Sequence, residues 1–376
     1  MGNPSIAIVL TARSSWAKLE PVCCAMVYRG LSPQIIACGS ALLERYGRVV
    51  DVVRDQGYTV AAECWTVHEG STLVTSAKET GALVMDITSV LWTMRPQLVV
   101  VCADRHEVLA AATAASYLHL PLLHLQGGER SGSIDDKVRG AVTALADYHC
   151  VCTARARYRV YGLGGIWGQI WHTGCPSIDV AAEAIADTPV TPEELGGAGP
   201  RLDTTRPFVL CLQHPVSTEV DTAAAQMATT LEAIAMVSLP RLVFWPAEEA
   251  GADAMSKTIR GHIVAHASQT YHTKISLPPR RWLRLVRQAA CLVGNSSTGI
   301  RECSFLGTPV VNIGTRQDGR ERATNVVDVP YEADQIQQAV MAQIAHGRYP
   351  SSTLYGGGTA GHDTAAVIEQ ILDDGP

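Results

Sequence analysis

The chain has 376 residues, 47% hydrophobic and 18% charged, a globular composition that excludes a disordered or low-complexity protein. A formal charge of -6 and a pI of about 6.1 exclude an overall attraction to nucleic acid or to an anionic membrane. The apolar runs are too short to span a bilayer, and the length suits two domains, each with its own core.

Met1 to Val9 lacks a basic region before its short apolar run, so a first strand is expected there rather than a signal peptide, and with it a cytoplasmic location. The eleven cysteines are scattered and odd in number, and no C-x-x-C occurs. This pattern disfavours a zinc site or a disulfide framework and fits buried thiols in a cytosolic protein. No cofactor is implied.

A strand is predicted over Ser5 to Leu10, followed by a helix from about Ala17. Pro33 to Ala37 is a second strand, and Gln97 to Cys102 reads as a buried parallel strand with a helix, Glu107 to Leu118, behind it. Leu122 to Gln126 and a helix from Ile134 to Tyr148 continue the alternation, which argues for a parallel sheet covered on both faces. Pro189 to Pro207 is rich in Pro, Gly, Thr and acidic residues and reads as the interdomain region. A second series follows, with strands at Phe208 to Leu212, Arg241 to Trp245, Ile275 to Leu277, Cys291 to Gly294 and Pro309 to Ile313. The expected organisation is a first α/β domain over 1–188 and a second over 205–376, both doubly wound, with the last helix able to pack back on the first. Two such domains in tandem put a cleft between them, and ligands of open α/β sheets sit beyond the carboxyl ends of the strands.

Polar residues gather at those strand ends. After the first strand, Arg13 and Lys18 in TARSSWAK are either an anion-binding pair at a loop-to-helix turn or two solvated bases; alone, the second reading is the better one. Asp104, just past QLVVVC, sits where a catalytic carboxylate or a helix N-cap belongs. Gln126-Gly127-Gly128-Glu129 and Ser131-Gly132-Ser133-Ile134-Asp135 form a glycine-bearing loop bracketed by Glu129 and Asp135. These are an acid and base pair, or a tight turn with Asp135 or Asp136 opening the next helix, at even odds. In the second half His214 ends a strand and can bind a diphosphate or move a proton. Asn295, Ser296, Ser297 and Thr298 open a helix as an anion cradle, and Glu302 further along can accept both ribose hydroxyls. Arg316, Gln317 and Arg320 lie in a basic loop suited to pyrophosphate. GLGGIWG, Gly162 to Gly168, lacks dinucleotide-binding spacing, and Gly356 to Gly358 reads as a loop before the last helix.

The segments HLQGGERSGSIDDKVRGAVTALADYH, GCPSID, LQHP and VGNSSTGIRECSFLGTPVVNIGTRQDGRER occur in this order, and together they resemble the UDP-N-acetylglucosamine 2-epimerase family. They are most similar to its hydrolysing branch, which releases UDP and a free 2-epimeric sugar such as N-acetylmannosamine. The resemblance implies a GT-B arrangement of two Rossmann-like domains facing a central cleft, with the nucleotide held mainly by the second. It implies that Arg13, Ser297, Glu302 and Arg320 contact UDP, that His214 partners the diphosphate, and that Asp104 and Asp135 belong to the chemistry. It also implies a UDP-sugar substrate and a homodimer.

The chain departs from the family's pattern in three places. Gln126 replaces a carboxylate common two residues after the strand histidine His124, Cys102-Ala103 replaces His-Gly before Asp104, and Arg139-Gly140 replaces Arg-His. Glutamine cannot act as a general base at neutral pH, so Asp104, Glu129 and Asp135 carry the chemistry, or activity is reduced, or the substrate differs. SIDDKVR stands where the non-hydrolysing branch has a P-E-E-x-N-R type stretch, which favours the hydrolysing reaction. A non-hydrolysing epimerase and a hydrolysing enzyme for a modified sugar such as UDP-diacetylbacillosamine are alternatives within the family. A GT-B glycosyltransferase and an inactive sugar-nucleotide binding protein are the alternatives outside it.

Overall fold

The computed structural model describes residues 5–68, 72–132, 134–247, 249–266 and 270–375, so Ser133 of the glycine-bearing loop and residues 1–4 of the first predicted strand lie outside the described residues. The chain divides into two compact units. Unit one comprises Met1–Glu129, Ile134–Asp179 and Tyr355–Pro376; unit two comprises Arg130–Ser133 and Val180–Leu354.

Unit one is a seven-stranded parallel sheet made of β1 (Ser5–Leu10), β2 (Ser32–Cys38), β3 (Thr59–Cys64), β4 (Leu98–Cys102), β5 (Leu122–Leu125), β6 (Tyr148–Val151) and β7 (Ile170–His172). Their spatial order is β3-β2-β1-β4-β5-β6-β7. The order reverses between β1 and β4, so this is a doubly wound, Rossmann-like sheet whose switch point lies there. Alternate residues feed two different cores. Ile6, Ile8, Leu10, Leu98 and Val100 pack in one, and Ala7, Val9, Val99 and Val101 in the other, which is why these strands are apolar throughout.

Unit two repeats the plan with β8 (Val209–Leu212), β9 (Arg241–Phe244), β10 (Tyr271–Lys274), β11 (Cys291–Gly294), β12 (Val310–Ile313) and β13 (Val326–Val329), ordered β10-β9-β8-β11-β12-β13. Its switch point lies between β8 and β11. Gly294 adopts φ 135°, and a Cβ there would lie 2.1 Å from the Leu212 carbonyl oxygen, so only glycine lets the ends of these two strands come so close.

Three predicted boundaries shift. The first helix is Arg13–Tyr28 and begins four residues before Ala17. The helix predicted to reach Tyr148 is Asp135–Leu145, because Asp147 exchanges hydrogen bonds with Leu122 (N–H to carbonyl 3.0 Å, side-chain oxygen to N–H 2.9 Å) and turns the chain into β6. The strand expected at Ile275 to Leu277 is β10 instead, in register with Arg241–Phe244, and Pro278-Pro279 then opens the helix Pro279–Gln288. That helix carries four arginines that fasten the preceding connection. Arg280 pairs with Glu183 and Asp187 (3.1 and 2.6 Å), Arg284 donates to the Thr188 carbonyl (2.6 Å), Arg287 donates to the Ile185 carbonyl (2.8 Å), and Arg281 donates to the Glu194 carbonyl (3.3 Å).

GCPSID has a structural task within unit one. The Cys175 N–H donates to the Tyr355 carbonyl at 2.7 Å, and the two Asp179 carboxylate oxygens accept the N–H groups of Ala360 and Gly361 at 3.0 and 2.6 Å. Asp179 thereby satisfies and neutralises the start of the helix Ala360–Asp374. Gly361 lies against Pro21 so closely that a Cβ would be 2.7 Å from its carbonyl carbon. Asp179→Ala should lower the stability of unit one by roughly 1–3 kcal/mol, the range for losing a charged capping hydrogen-bond pair. Urea unfolding followed by circular dichroism measures this, and an unchanged midpoint would show that the cap is dispensable.

Candidate active site

In unit one the candidate residues lie around the switch point. Arg13 and Lys18 both fall inside the first helix, five positions apart. That places them about 140° apart around its axis, so the helix does not aim both at one anion. Arg13 Nη1 is buried without a hydrogen-bond partner among the described residues, and burial pulls the guanidinium below its ordinary pKa.

Asp104 follows Ala103, whose φ of 70° lies in the left-handed region. The Asp104 carboxylate is ion-paired with the Arg139 guanidinium. Arg139, 2% exposed, also donates 2.8 Å hydrogen bonds from Nη1 to the Glu129 carbonyl and to Asp136 Oδ1. Asp135 and Asp136 form the first turn of the helix Asp135–Leu145, and Glu129 is 7% exposed. Asp104, the Glu129 backbone and the Asp135-Asp136 turn are therefore gathered by one buried arginine. Arg139 was not among the candidates, although an aspartate pair three and four residues ahead of an arginine on a helix is the spacing that brings such groups together.

Gln126 is 1% exposed and its backbone is left-handed, with φ 67°. Its Nε2 donates to Cys175 Sγ at 3.1 Å, and its Oε1 has no hydrogen-bond partner among the described residues. Nearby His124 is fixed in one tautomer: Nε2–H faces the Ala103 carbonyl at 2.9 Å, and Nδ1 accepts from Thr143 Oγ1 at 3.2 Å. Its role is to hold β4 to β5 rather than to meet a ligand.

In unit two His214 lies two residues beyond the end of β8. Its Nδ1 accepts the Ala247 N–H at 3.0 Å, so the ring proton is on Nε2. Burial and the Arg316 charge push its pKa down to about 3, which leaves a neutral ring with one N–H to offer. Asn295 is spent on the frame: its Oδ1 accepts the His214 N–H (2.7 Å) and its Nδ2 donates to the His214 carbonyl (2.8 Å), joining the ends of β8 and β11. Gln317 Nε2 donates to the Asn295 carbonyl at 2.8 Å, and Gln317 Oε1 receives Arg320. Arg316 pairs with Glu249 at 2.9 Å. Ser296 caps the short helix Ser297–Ile300 through the Thr298 N–H at 3.3 Å, so Ser297 and Thr298 form its first turn. Glu302, 7% exposed, opens the following helix Glu302–Leu306, and its Oε2 has no hydrogen-bond partner among the described residues.

Both sheets thus carry their polar candidates beyond the carboxyl ends of strands at or next to the switch point. The family model described as UDP-N-acetylglucosamine 2-epimerase matches residues 27–369. The chain belongs to the UDP-N-acetylglucosamine 2-epimerase family. Among curated members, the hydrolysing UDP-N,N'-diacetylbacillosamine 2-epimerase of Legionella pneumophila is 28% identical over 90% of this chain and 88% of its own length. The UDP-N-acetylglucosamine 2-epimerase of Neisseria meningitidis is 24% identical over 97% of this chain and 94% of its own. Solved 2-epimerase structures share the fold. The Neisseria meningitidis enzyme bound to UDP-GlcNAc is 15% identical, with a TM-score of 0.81 over 98% of this chain and 100% of that one. The Methanocaldococcus jannaschii enzyme in complex with UDP-GlcNAc and UDP is 17% identical, with the same TM-score and coverage. The fold is GT-B-like and the family's chemistry is that of a UDP-sugar 2-epimerase, as the sequence motifs implied.

The buried histidines give unit one an acid-sensitive stability. Burial lowers the His124 pKa to about 4, and burial together with His124 lowers that of His149 to about 3. Above pH 6.5 both are neutral whether the chain is folded or not, so they add no pH dependence. Below it the unfolded chain takes up protons that the native state refuses, and stability falls by about 1.4 kcal/mol per pH unit for each ring. Urea midpoints should be flat for these groups from pH 8 to 7 and should fall from pH 6.5 to 4.5. His149→Leu should remove about half of that slope; an unchanged slope would contradict the assignment.

Proposed function

We propose that this member of the family is a hydrolysing 2-epimerase of a UDP-activated 2-acetamido sugar, converting it with water to UDP and the free 2-epimeric hexosamine. The observation that carries the reading is the cluster around Arg139 in unit one: this buried cation pairs with the Asp104 and Asp136 carboxylates and donates to the Glu129 carbonyl, with Asp135 in the same first helical turn as Asp136. UDP-N-acetylglucosamine, giving N-acetylmannosamine, and UDP-diacetylbacillosamine are the two substrates to compare, the second favoured by the relatives from Legionella pneumophila and Campylobacter jejuni, whose names specify it together with hydrolysis.

In this reading the unit-two rim holds the nucleotide. Glu302 Oε2, a buried acceptor awaiting a donor, takes the ribose hydroxyls, and the His214 Nε2–H, Ser297 and Arg320 face the diphosphate. Asn295, Ser296, Thr298, Arg316 and Gln317 shape that rim through the hydrogen bonds they make within it. One carboxylate of the acid cluster removes the carbon 2 proton as UDP leaves carbon 1, giving a glycal. A proton then returns to the opposite face of carbon 2 and water adds at carbon 1. The carbon 2 proton is weakly acidic, so the base works only if held close and shielded from water, a geometry that a buried arginine provides. Donors aimed at the departing diphosphate stabilise its growing charge. Cytoplasmic location and a homodimer belong to the same proposal, and the latter is open to mass photometry.

Proton NMR in deuterated water tests the reaction. With UDP-N-acetylglucosamine or UDP-diacetylbacillosamine, the expected products are UDP and a free sugar deuterated at carbon 2. A product that keeps its nucleotide would make the enzyme non-hydrolysing. Binding without label would make it a sugar-nucleotide binding protein, and dependence on an added acceptor would make it a glycosyltransferase. Arg139→Lys should lower kcat by about 100-fold, because one ammonium cannot serve three acceptors in the fork geometry of a guanidinium. Glu302→Gln should raise the Kd for UDP by roughly tenfold, the scale of one charge-assisted hydrogen bond, as measured by calorimetry.

A further inference from the structure

β4 and β5 are neighbours, and each is followed directly by a non-glycine residue in the left-handed region, Ala103 and Gln126. That conformation costs an L-residue about 1–2 kcal/mol and persists only where surrounding structure enforces it. One backbone bond holds the N–H side of each turn. The Ala103 N–H donates to the Leu125 carbonyl at 3.0 Å, and the Gln126 N–H donates to the Cys150 carbonyl at 2.9 Å. Beyond Gln126 the loop to Glu129 offers no side chain to fix it. Gly127 fills a slot where a Cβ would lie 3.1 Å from both His124 Nδ1 and Thr143 Oγ1, and Gly128 lies where a Cβ would be 2.3 Å from the Ala156 carbonyl oxygen. Gln126 is thus the last side chain before Glu129. It is fully inside the protein, with Nε2 held by Cys175 Sγ, which in turn lies 3.0 Å from Ser177 Oγ.

We propose that Gln126 is a positioning residue: its amide, anchored on Cys175, locks the left-handed turn that delivers the Glu129 carbonyl to Arg139. Because the amide is neutral, it adds no negative charge three residues before Glu129, whose proton affinity a nearby anion would raise. Cys175 is then part of the site without touching substrate. This inference rests on the reading of the Arg139 cluster as catalytic, but half of its test is independent of turnover.

The test compares Gln126→Ala, Gln126→Glu, Cys175→Ala and Cys175→Ser. In hydrogen exchange read by mass spectrometry, the peptide covering residues 127–132 should exchange at least tenfold faster in Gln126→Ala and Cys175→Ala, while peptides from β1, β4 and β5 keep their rates. Cys175→Ser, which retains an acceptor, should restore protection. In turnover, Gln126→Ala and Cys175→Ala should lower kcat by at least tenfold with KM within twofold, and the double variant should be no worse than Gln126→Ala, as expected of two groups acting as one unit. Gln126→Glu should move the acid limb of the kcat profile to higher pH. Unchanged exchange at 127–132 in both alanine variants, exchange rising equally throughout unit one, or a loss confined to KM would each overturn the proposal. A wild-type enzyme inactive on UDP-sugars would instead sink the epimerase reading and leave the exchange experiment decisive for Gln126.

Discussion

The ion pair between Arg139 and Asp104 is the contact on which the first unit's rim depends. A buried guanidinium cannot shed its charge, so it must be surrounded by acceptors, and here those are the Asp104 and Asp136 carboxylates and the Glu129 carbonyl. The three acceptors come from three places in the chain: the end of β4, the loop after β5 and the first turn of the next helix. One cation thereby sets the relative positions of segments that no continuous secondary structure connects. Removing a single partner of such a group leaves a buried charge exposed to its own desolvation cost, so the cation ties together a cluster that loops build.

The second unit reaches a comparable result with neutral groups. The Asn295 side chain completes a two-way hydrogen-bond exchange with the His214 peptide, as a neighbouring strand residue would, and Gln317 continues the chain of contacts from the Asn295 carbonyl to Arg320. The His214 tautomer follows from this frame, since the Ala247 N–H occupies Nδ1. Residues that a motif search assigns to ligand binding therefore split in two. Glu302 keeps a buried acceptor atom unengaged, while Asn295 and Gln317 are committed to shaping the surface on which others act.

Much of the fold was legible in the sequence because the central strands of doubly wound sheets are buried on both faces and read as unbroken apolar runs; QLVVVC and CLVG are examples. The edge strands were not. β3 and β13 leave part of their residues exposed, so TVAAEC and VVDV lack that signature, and β10 was displaced by a few residues because YHTK is polar. The candidate carboxylates were found from their place after strands, but Arg139 was not, since its partners are 10 and 35 residues away in sequence as well as on its own helix. The role of Cys175 was hidden for the same reason: it lies 49 residues from Gln126, and no local pattern announces the contact.

The helix Ala360–Asp374 belongs to unit one, whereas all of residues 180–354 belong to unit two. During synthesis the ribosome releases every strand of unit two before Asp179 can meet the helix start it caps. The segment bearing Asp104 and Glu129 therefore waits, with its Pro21 face uncovered, for the whole second sheet to be made. For this chain, translation order and maturation order run opposite to each other: the part that emerges first is the part that is finished last.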